Sequence, residues 1–302
     1  MTMRHRGWIA AGLLACAPAG LATPAAAQAA TPASFSQDEA YAPAFETWYE
    51  TVLPGKALDI DVPPALTLEI GGRVWTPDWR APDTAQTIDA TLRRGGETVA
   101  DLKVFVLEPL SNVDAKGWLN GYRIGQYPKD PPPGFIRLDG PEDREHAISP
   151  HFKLGQFLCK QQPDHWPKYV LVSQDNVRRL EALLRELNSD GRTEAKTFFV
   201  MSGFRTPFYN SAIGSAKFSR HMYGDAADIY VDVAPRNGNM DDLNRDGKVN
   251  KADANWLYDY SQKLFKRRTD LPKGGIGSYK ANAVHGPFVH VDGRGRPARW
   301  GR

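Results

Sequence analysis

The chain has 302 residues, 41% of them hydrophobic and 24% charged, and a formal net charge of +3. That composition is ordinary for a soluble globular protein, and the length allows two domains. Two of the positive charges, Arg4 and Arg6, sit at the very N-terminus. With no basic run and no interleaving of basic with aromatic residues, charge gives no case for nucleic-acid binding.

Met1 to Arg6 forms a short basic segment, Trp8 to Ala22 an apolar one, and Ala27-Gln28-Ala29 fits an A-x-A cleavage site. Residues 1–29 therefore read as a secretory signal peptide, which predicts a periplasmic or secreted bacterial protein. Leu13-Leu14-Ala15-Cys16 also fits a bacterial lipobox, which would leave Cys16 as a lipid anchor in the cell envelope. Elsewhere no apolar run is long enough to span a bilayer. Cys159 is the only other cysteine, so removal of Cys16 leaves no partner for an intrachain disulfide. Cys159 itself reads as a small buried apolar residue.

Residues 30–54 read as a polar, Ala/Pro/Ser-rich leader followed by a short helix. Tyr41, Phe45, Trp48 and Tyr49 fall near helical spacing between Ala40 and Glu50. From about Ala57 the period changes to two: Leu58/Ile60/Val62, Leu66/Leu68/Ile70, Ile88/Ala90/Leu92 and Leu102/Val104/Val106 alternate with polar neighbours. Gly71-Gly72 and Gly95-Gly96 mark turns between these runs. The pattern predicts a small all-β, sandwich-like domain over residues 55–128. The Pro-rich stretch around Tyr127 to Gly134 predicts a stiff linker at 129–140. Beyond it, Val177, Leu180, Leu183, Leu184 and Leu187 recur at helical spacing, with Ser173 or Asp175 as N-cap and Gly191 beyond the end. A buried strand from Lys196 to Ser202 follows, so residues 141–302 read as an α+β domain.

The chemistry concentrates in that last domain. His221 and Asp228 come from a short segment containing Gly224, and His290 comes from an apolar strand much later. Two imidazoles and a carboxylate suit zinc with a fourth position left open, the arrangement that hydrolysis needs. His290 and Asp292, two apart on a strand, point to one sheet face, so Asp292 can accept a ring N–H from His290 or move a proton. Arg205 follows the strand that ends at Ser202, and its guanidinium can fork onto a carboxylate or a developing oxyanion. Asp242, Asn244, Asp246, Lys248, Asn250 and Asp253 occupy the ligand positions of an EF-hand-type calcium loop, with Gly247 at the turn. The loop would be a structural calcium site within an insertion at 237–260.

Ser219, His221, Gly224, Ala226 and Asp228 form a Ser-x-His-x-x-Gly-x-Ala-x-Asp pattern that resembles the zinc D-Ala-D-Ala carboxypeptidase family. That family includes vancomycin-resistance dipeptidases, phage endolysins and peptidoglycan endopeptidases. Ser202 to Pro207, Gly274 to Tyr279, Phe288 to Asp292 and Arg299-Trp300 are also similar to it, in the same order. The resemblance covers roughly residues 141–300 and implies an α+β metallopeptidase fold with an antiparallel sheet. It implies zinc on His221, Asp228 and His290, and a substrate contact from Arg205. The implied activity is hydrolysis of peptide bonds in peptidoglycan stem peptides or cross-links, by a monomer. Some members carry a catalytic Glu or Asp two or three residues before the last His ligand. Phe288 and Pro287 stand there in this chain. His285 is then the expected general acid–base, with Asp292 second. The loss of that carboxylate also leaves open a non-catalytic cell-wall-binding protein on the same zinc fold. The closing Asp of the calcium loop, Asp253, resembles the dockerin-type repeat.

Overall fold

Two kinds of hydrophobic pattern meet in this chain, and each builds its own layer. The computed structural model describes residues 48–233 and 235–302. The signal segment, Cys16 and nearly all of the leader lie outside the described residues. So does most of the helix expected between Ala40 and Glu50. Its last two residues, Tyr49 and Glu50, instead open a strand.

Strands β1 (Tyr49–Val52), β2 (Thr67–Ile70), β3 (Arg73–Val74), β4 (Gln86–Arg94) and β5 (Glu97–Val106) form one sheet in the order β1-β5-β4-β2-β3. The glycine pairs make its turns: Gly71, Gly72, Gly95 and Gly96 all have positive φ, which L-residues with a Cβ avoid. Alternate residues, among them Leu68, Leu92, Leu102 and Val104, bury against Leu58 and Ala81 from the connecting loops. The expected sandwich is therefore a single sheet closed by its own loops. Alternation shows that one face of each strand is buried, but not whether a second sheet or a loop covers it.

The boundary at 128 does not hold either. Leu107, Leu119, Tyr122 and Ile124 belong to the large core of the C-terminal part. Beyond the short strands β6 (Glu108–Pro109), β7 (Trp118–Leu119) and β8 (Tyr122–Arg123), the residues expected as linker contain β9 (Gly134–Leu138). This strand pairs with β6 and with β10 (Lys168–Val170), and its Phe135, Ile136 and Leu138 are buried. The prolines end at Pro133, so every residue of β9 keeps its N–H for pairing.

Helix α1 (Gln174–Ser189) starts after Ser173 and buries the predicted leucine stripe. Strand β11 (Phe199–Ser202) leads into the short helix α2 (Pro207–Ala212), where Thr206 Oγ1 accepts from Tyr209 N and Pro207 takes the first helical position. Strand β12 (Ala226–Tyr230), helix α3 (Lys251–Arg267) and strands β13 (Gly275–Tyr279), β14 (Phe288–Asp292) and β15 (Ala298–Trp300) complete the chain. The second sheet runs β11-β12-β14-β13-β15. It is antiparallel except at its edge, where β13 and β15 run parallel, a departure from the all-antiparallel expectation. Ala227, Ile229, Ile276, Val289 and Val291 face a helical layer and are fully buried with Leu180 and Leu184 of α1 and Leu257 and Leu264 of α3.

The Asp242–Asp253 loop uses its carboxylates on its own backbone. Asp242 accepts from Asp246 N and Gly247 N. The buried Asp253 accepts from Leu243 N, Asn244 N and Asn250 N, and with Asn250 it caps α3. No helix among the described residues is long and apolar enough to cross a membrane.

Truncating the stripe of α1 tests this packing. Leu180→Ala, at a fully buried position, is expected to destabilise by about 2–5 kcal/mol, read as a lower urea midpoint with little change in slope.

Candidate metal centre

The face of the second sheet opposite the helices carries the chemistry. Cross-strand pairing sets one row across all five strands: Ser202 opposes Asp228, Asp228 opposes His290, His290 opposes Gly277 and Gly277 opposes Trp300. Directly opposed residues share a face. Pairing alone thus brings Asp228 and His290 together across 62 residues of sequence.

His221 arrives from outside the sheet, on the 3-10 turn Arg220–Tyr223. Gly224 ends that turn at φ +66°, and a Cβ there would lie 2.3 Å from the backbone carbon of Leu171. Only glycine meets both conditions, which explains its place between the two ligand residues.

Each imidazole is oriented by its second nitrogen. His221 Nδ1 donates to Gly203 O at 2.6 Å, leaving the Nε2 lone pair towards Asp228 Oδ1 at 3.3 Å. His290 Nε2 donates to Asp292 Oδ2 at 3.1 Å, leaving Nδ1 2.8 Å from Asp228 Oδ1 and 3.3 Å from His221 Nε2. The nitrogen that each ring turns towards the cluster is the one that gives up its proton when a cation binds. His221, Asp228 and His290 are all buried, and each offers a ligand atom within 4.8 Å of the others. Among the described residues they are the only such group; the Asp242–Asp253 loop does not form one. Two imidazole nitrogens and one carboxylate, each held by a carbonyl, carboxylate or guanidinium behind it, fit zinc.

The remaining contacts show how the charge is held. Burial pushes His221 below the ordinary imidazole range. Burial opposes ionisation of Asp228 as well, but the imidazoles of His221 and His290 keep it well below the usual carboxylate range. Burial likewise acts against His290, and its hydrogen bonds to Asp228 and Asp292 outweigh that and raise it. Arg205 Nη2 donates to Asp228 Oδ2 at 2.5 Å, Nε to Ser202 Oγ at 2.8 Å and Nη1 to Ser215 Oγ at 3.3 Å. Three of its five N–H groups thus orient the ligand carboxylate and its surroundings, and two remain for a ligand.

Both expected proton carriers, His285 and Asp292, are held by local partners. His285 is not among the residues lining the cleft over the cluster. Asn282 Nδ2 lies 2.8 Å from its Nε2, and its Nδ1 lies 2.8 Å from Gly286 O, so both ring nitrogens are engaged locally. Asp292 is fully buried and accepts from Gly275 N and Arg294 as well as His290. Burial would raise it, yet His290 and Arg294 hold it far below the carboxylate range. It is a positioning group for His290.

A cleft of about 990 Å³ opens above the cluster. Its walls include Lys129 and Asp130 from the Pro-rich stretch, which is tied down by Tyr127 Oη donating to Met222 O and Tyr223 Oη to Lys129 O. Tyr279, Phe288 and Trp300 form an aromatic wall, and Arg220, Arg294 and Arg296 add cations. The sequence reading missed the part played by Lys129, Tyr279 and Trp300. The last two lie inside segments that resemble the peptidase family, and that was the available signal.

Comparison with known proteins agrees with this chemistry. The family model described as Peptidase M15 matches residues 158–255. The match takes in Arg205, His221 and Asp228, and the sheet supplies His290 from beyond it. Over that segment the chain is similar to Peptidase M15. No curated protein matches the chain.

Removing the Asp292 carboxylate tests the centre without touching a ligand. Asp292→Asn is expected to weaken zinc by roughly 10–100-fold, and His221→Ala to lose it, in competition with a chromophoric chelator.

Proposed function

We propose that this is an exported zinc peptidase that hydrolyses peptide bonds in peptidoglycan stem peptides or cross-links. The observation that carries the reading is the buried His221–Asp228–His290 cluster at the floor of an open cleft, in a chain matched by a zinc peptidase family. When bound, zinc in such a set supplies a Lewis acid for a carbonyl and acidifies water. The protein's own groups do the positioning. Gly203 O and Asp292 fix the two imidazoles, and Arg205 holds the far oxygen of Asp228. The two spare N–H groups of Arg205 face no protein acceptor among the described residues and suit a substrate carbonyl or carboxylate.

The charge of the cleft supports a peptide bearing free carboxylates, as stem peptides do. Lys129, Arg205, Arg220, Arg294 and Arg296 line it, and although Asp130, Asp228, Asp225 and Asp292 pair with the first four, Arg205 keeps two N–H groups for a ligand. Guanidinium groups with free N–H donors fork onto carboxylates. The N-terminal basic and apolar segments support export, with either release after Ala29 or lipidation at Cys16.

A second reading, a wall-binding protein that does not cleave, is favoured by one feature. Beyond the ligand Asp228, the cleft lining holds a single acid, Asp130. We further propose that the Asp242–Asp253 loop takes calcium, on the spacing of its oxygen donors and the turn at Gly247.

Purified protein incubated with muropeptides separates the first two readings. Metal-dependent new termini, abolished by a chelator and restored by zinc, are expected. Retention on sacculi without cleavage would establish the binder instead. Arg205→Ala is expected to lower kcat/KM by roughly 10²-fold or more. For the loop, calcium is expected to raise the urea midpoint of the protein and to have no such effect on Asp253→Ala; an unchanged midpoint would remove calcium.

A further inference from the structure

Strand β13 ends on Tyr279, two residues beyond Gly277 and opposite Phe288 of β14, on the same face as His290. Its ring is fixed from two sides. It stacks on Phe288 with centroids 4.6 Å apart and planes within 6°. Trp300 Nε1 donates to its Oη at 2.8 Å, and the Trp300 ring in turn lies 5.2 Å from that of His290. Trp300 reaches this position because Gly277 opposes it; a Cβ at 277 would meet Nε1 at 2.2 Å.

The direction of the bond to Trp300 is decisive. An indole N–H can only donate, so the phenol oxygen is the acceptor and keeps its own proton for another partner. No acceptor takes that proton among the described residues, and Tyr279, an exposed residue, lines the cleft with His221, Asp228 and His290. The phenol is thus a preset donor in the wall of the cleft that holds the ligand cluster. Burial raises it above its ordinary range, with Asp228 adding to the effect and the bond from Trp300, Arg205 and Arg294 opposing it, so it stays protonated at neutral pH. Phe288, one of the two positions where some of the resembled peptidases carry a carboxylate, serves here as the backing for that ring.

We propose that Tyr279 is the oxyanion donor of this site: its O–H hydrogen-bonds the carbonyl oxygen of a bound peptide as that oxygen gains charge. The phenol lends a hydrogen bond and transfers no proton, so it replaces none of the proton traffic of a carboxylate. Its contribution lies in holding charge that exists only on the way to products. The assignment rests on the peptidase reading above for its substrate class, while the donor geometry stands by itself.

Tyr279→Phe keeps the ring and its stack on Phe288 and removes only the hydroxyl. Three properties are compared with wild type: zinc stoichiometry, turnover of a defined muropeptide, and affinity for a phosphinate analogue of an Ala-Ala dipeptide, whose tetrahedral oxygens mimic the charged carbonyl. The expected result is unchanged zinc content, KM within about threefold, kcat lower by roughly 10²-fold, and phosphinate affinity lower by a similar factor. Unchanged kcat and unchanged phosphinate affinity would overturn the assignment and leave the peptidase standing. A wild-type protein that cleaves no muropeptide yet loses phosphinate affinity on Tyr279→Phe would sink the peptidase reading and keep the donor. If wild type neither cleaves nor binds the phosphinate, both fall.

Discussion

One carboxylate, Asp228, ties the site together. Its Oδ1 faces both imidazoles and its Oδ2 is taken by Arg205, so every chemical element of the floor meets at a single side chain. A buried ionised carboxylate costs several kcal/mol unless it is compensated. Here the imidazoles keep it charged despite its burial, and the Arg205 guanidinium donates to its other oxygen. The surrounding structure reads as the means of holding those partners. Antiparallel pairing delivers His290, the Gly224 turn delivers His221, and the strand-to-helix junction at Thr206-Pro207 presents Arg205.

Behind the ligands stands a further ring of support. Asp292 is fully buried yet has the ring of His290, the guanidinium of Arg294 and the N–H of Gly275 around it. Gly203 O plays the same part for His221. Ligands fixed in this way lose little freedom when a cation binds, and their ring orientation is set beforehand. The helical layer under the sheet, with α1 and α3 packed on the far face of β13 and β14, keeps the row across the strands from slipping register. A slip of one residue would turn His290 into the hydrophobic core.

Much of this was legible in the sequence because the informative spacings are short. His221 and Asp228 are seven apart around a glycine, His290 and Asp292 alternate with valines, and the leucines of α1 keep a helical period. What could not be read depends on long-range pairing. Tyr279 and Trp300 become neighbours only when β13 pairs in parallel with β15, and neither residue carries a local signal for that contact. The N-terminal strands show the same limit, since alternation looks alike whether a second sheet or a loop covers the buried face. The Pro-rich stretch was read as a spacer on composition. Tyr127 and Tyr223 tie it to the ligand turn, and it becomes a wall of the cleft. His285 lies five residues before His290 in sequence, but its ring nitrogens are satisfied by Asn282 and Gly286.

The most direct test of the account is the coordination shell of the metal in protein purified without added chelator. X-ray absorption at the zinc edge is expected to show one zinc per chain, with two imidazole nitrogens and a carboxylate oxygen at about 2.0–2.2 Å. A shell of oxygens without imidazole scattering, or the same spectrum from a His221→Ala/His290→Ala double variant, would contradict it.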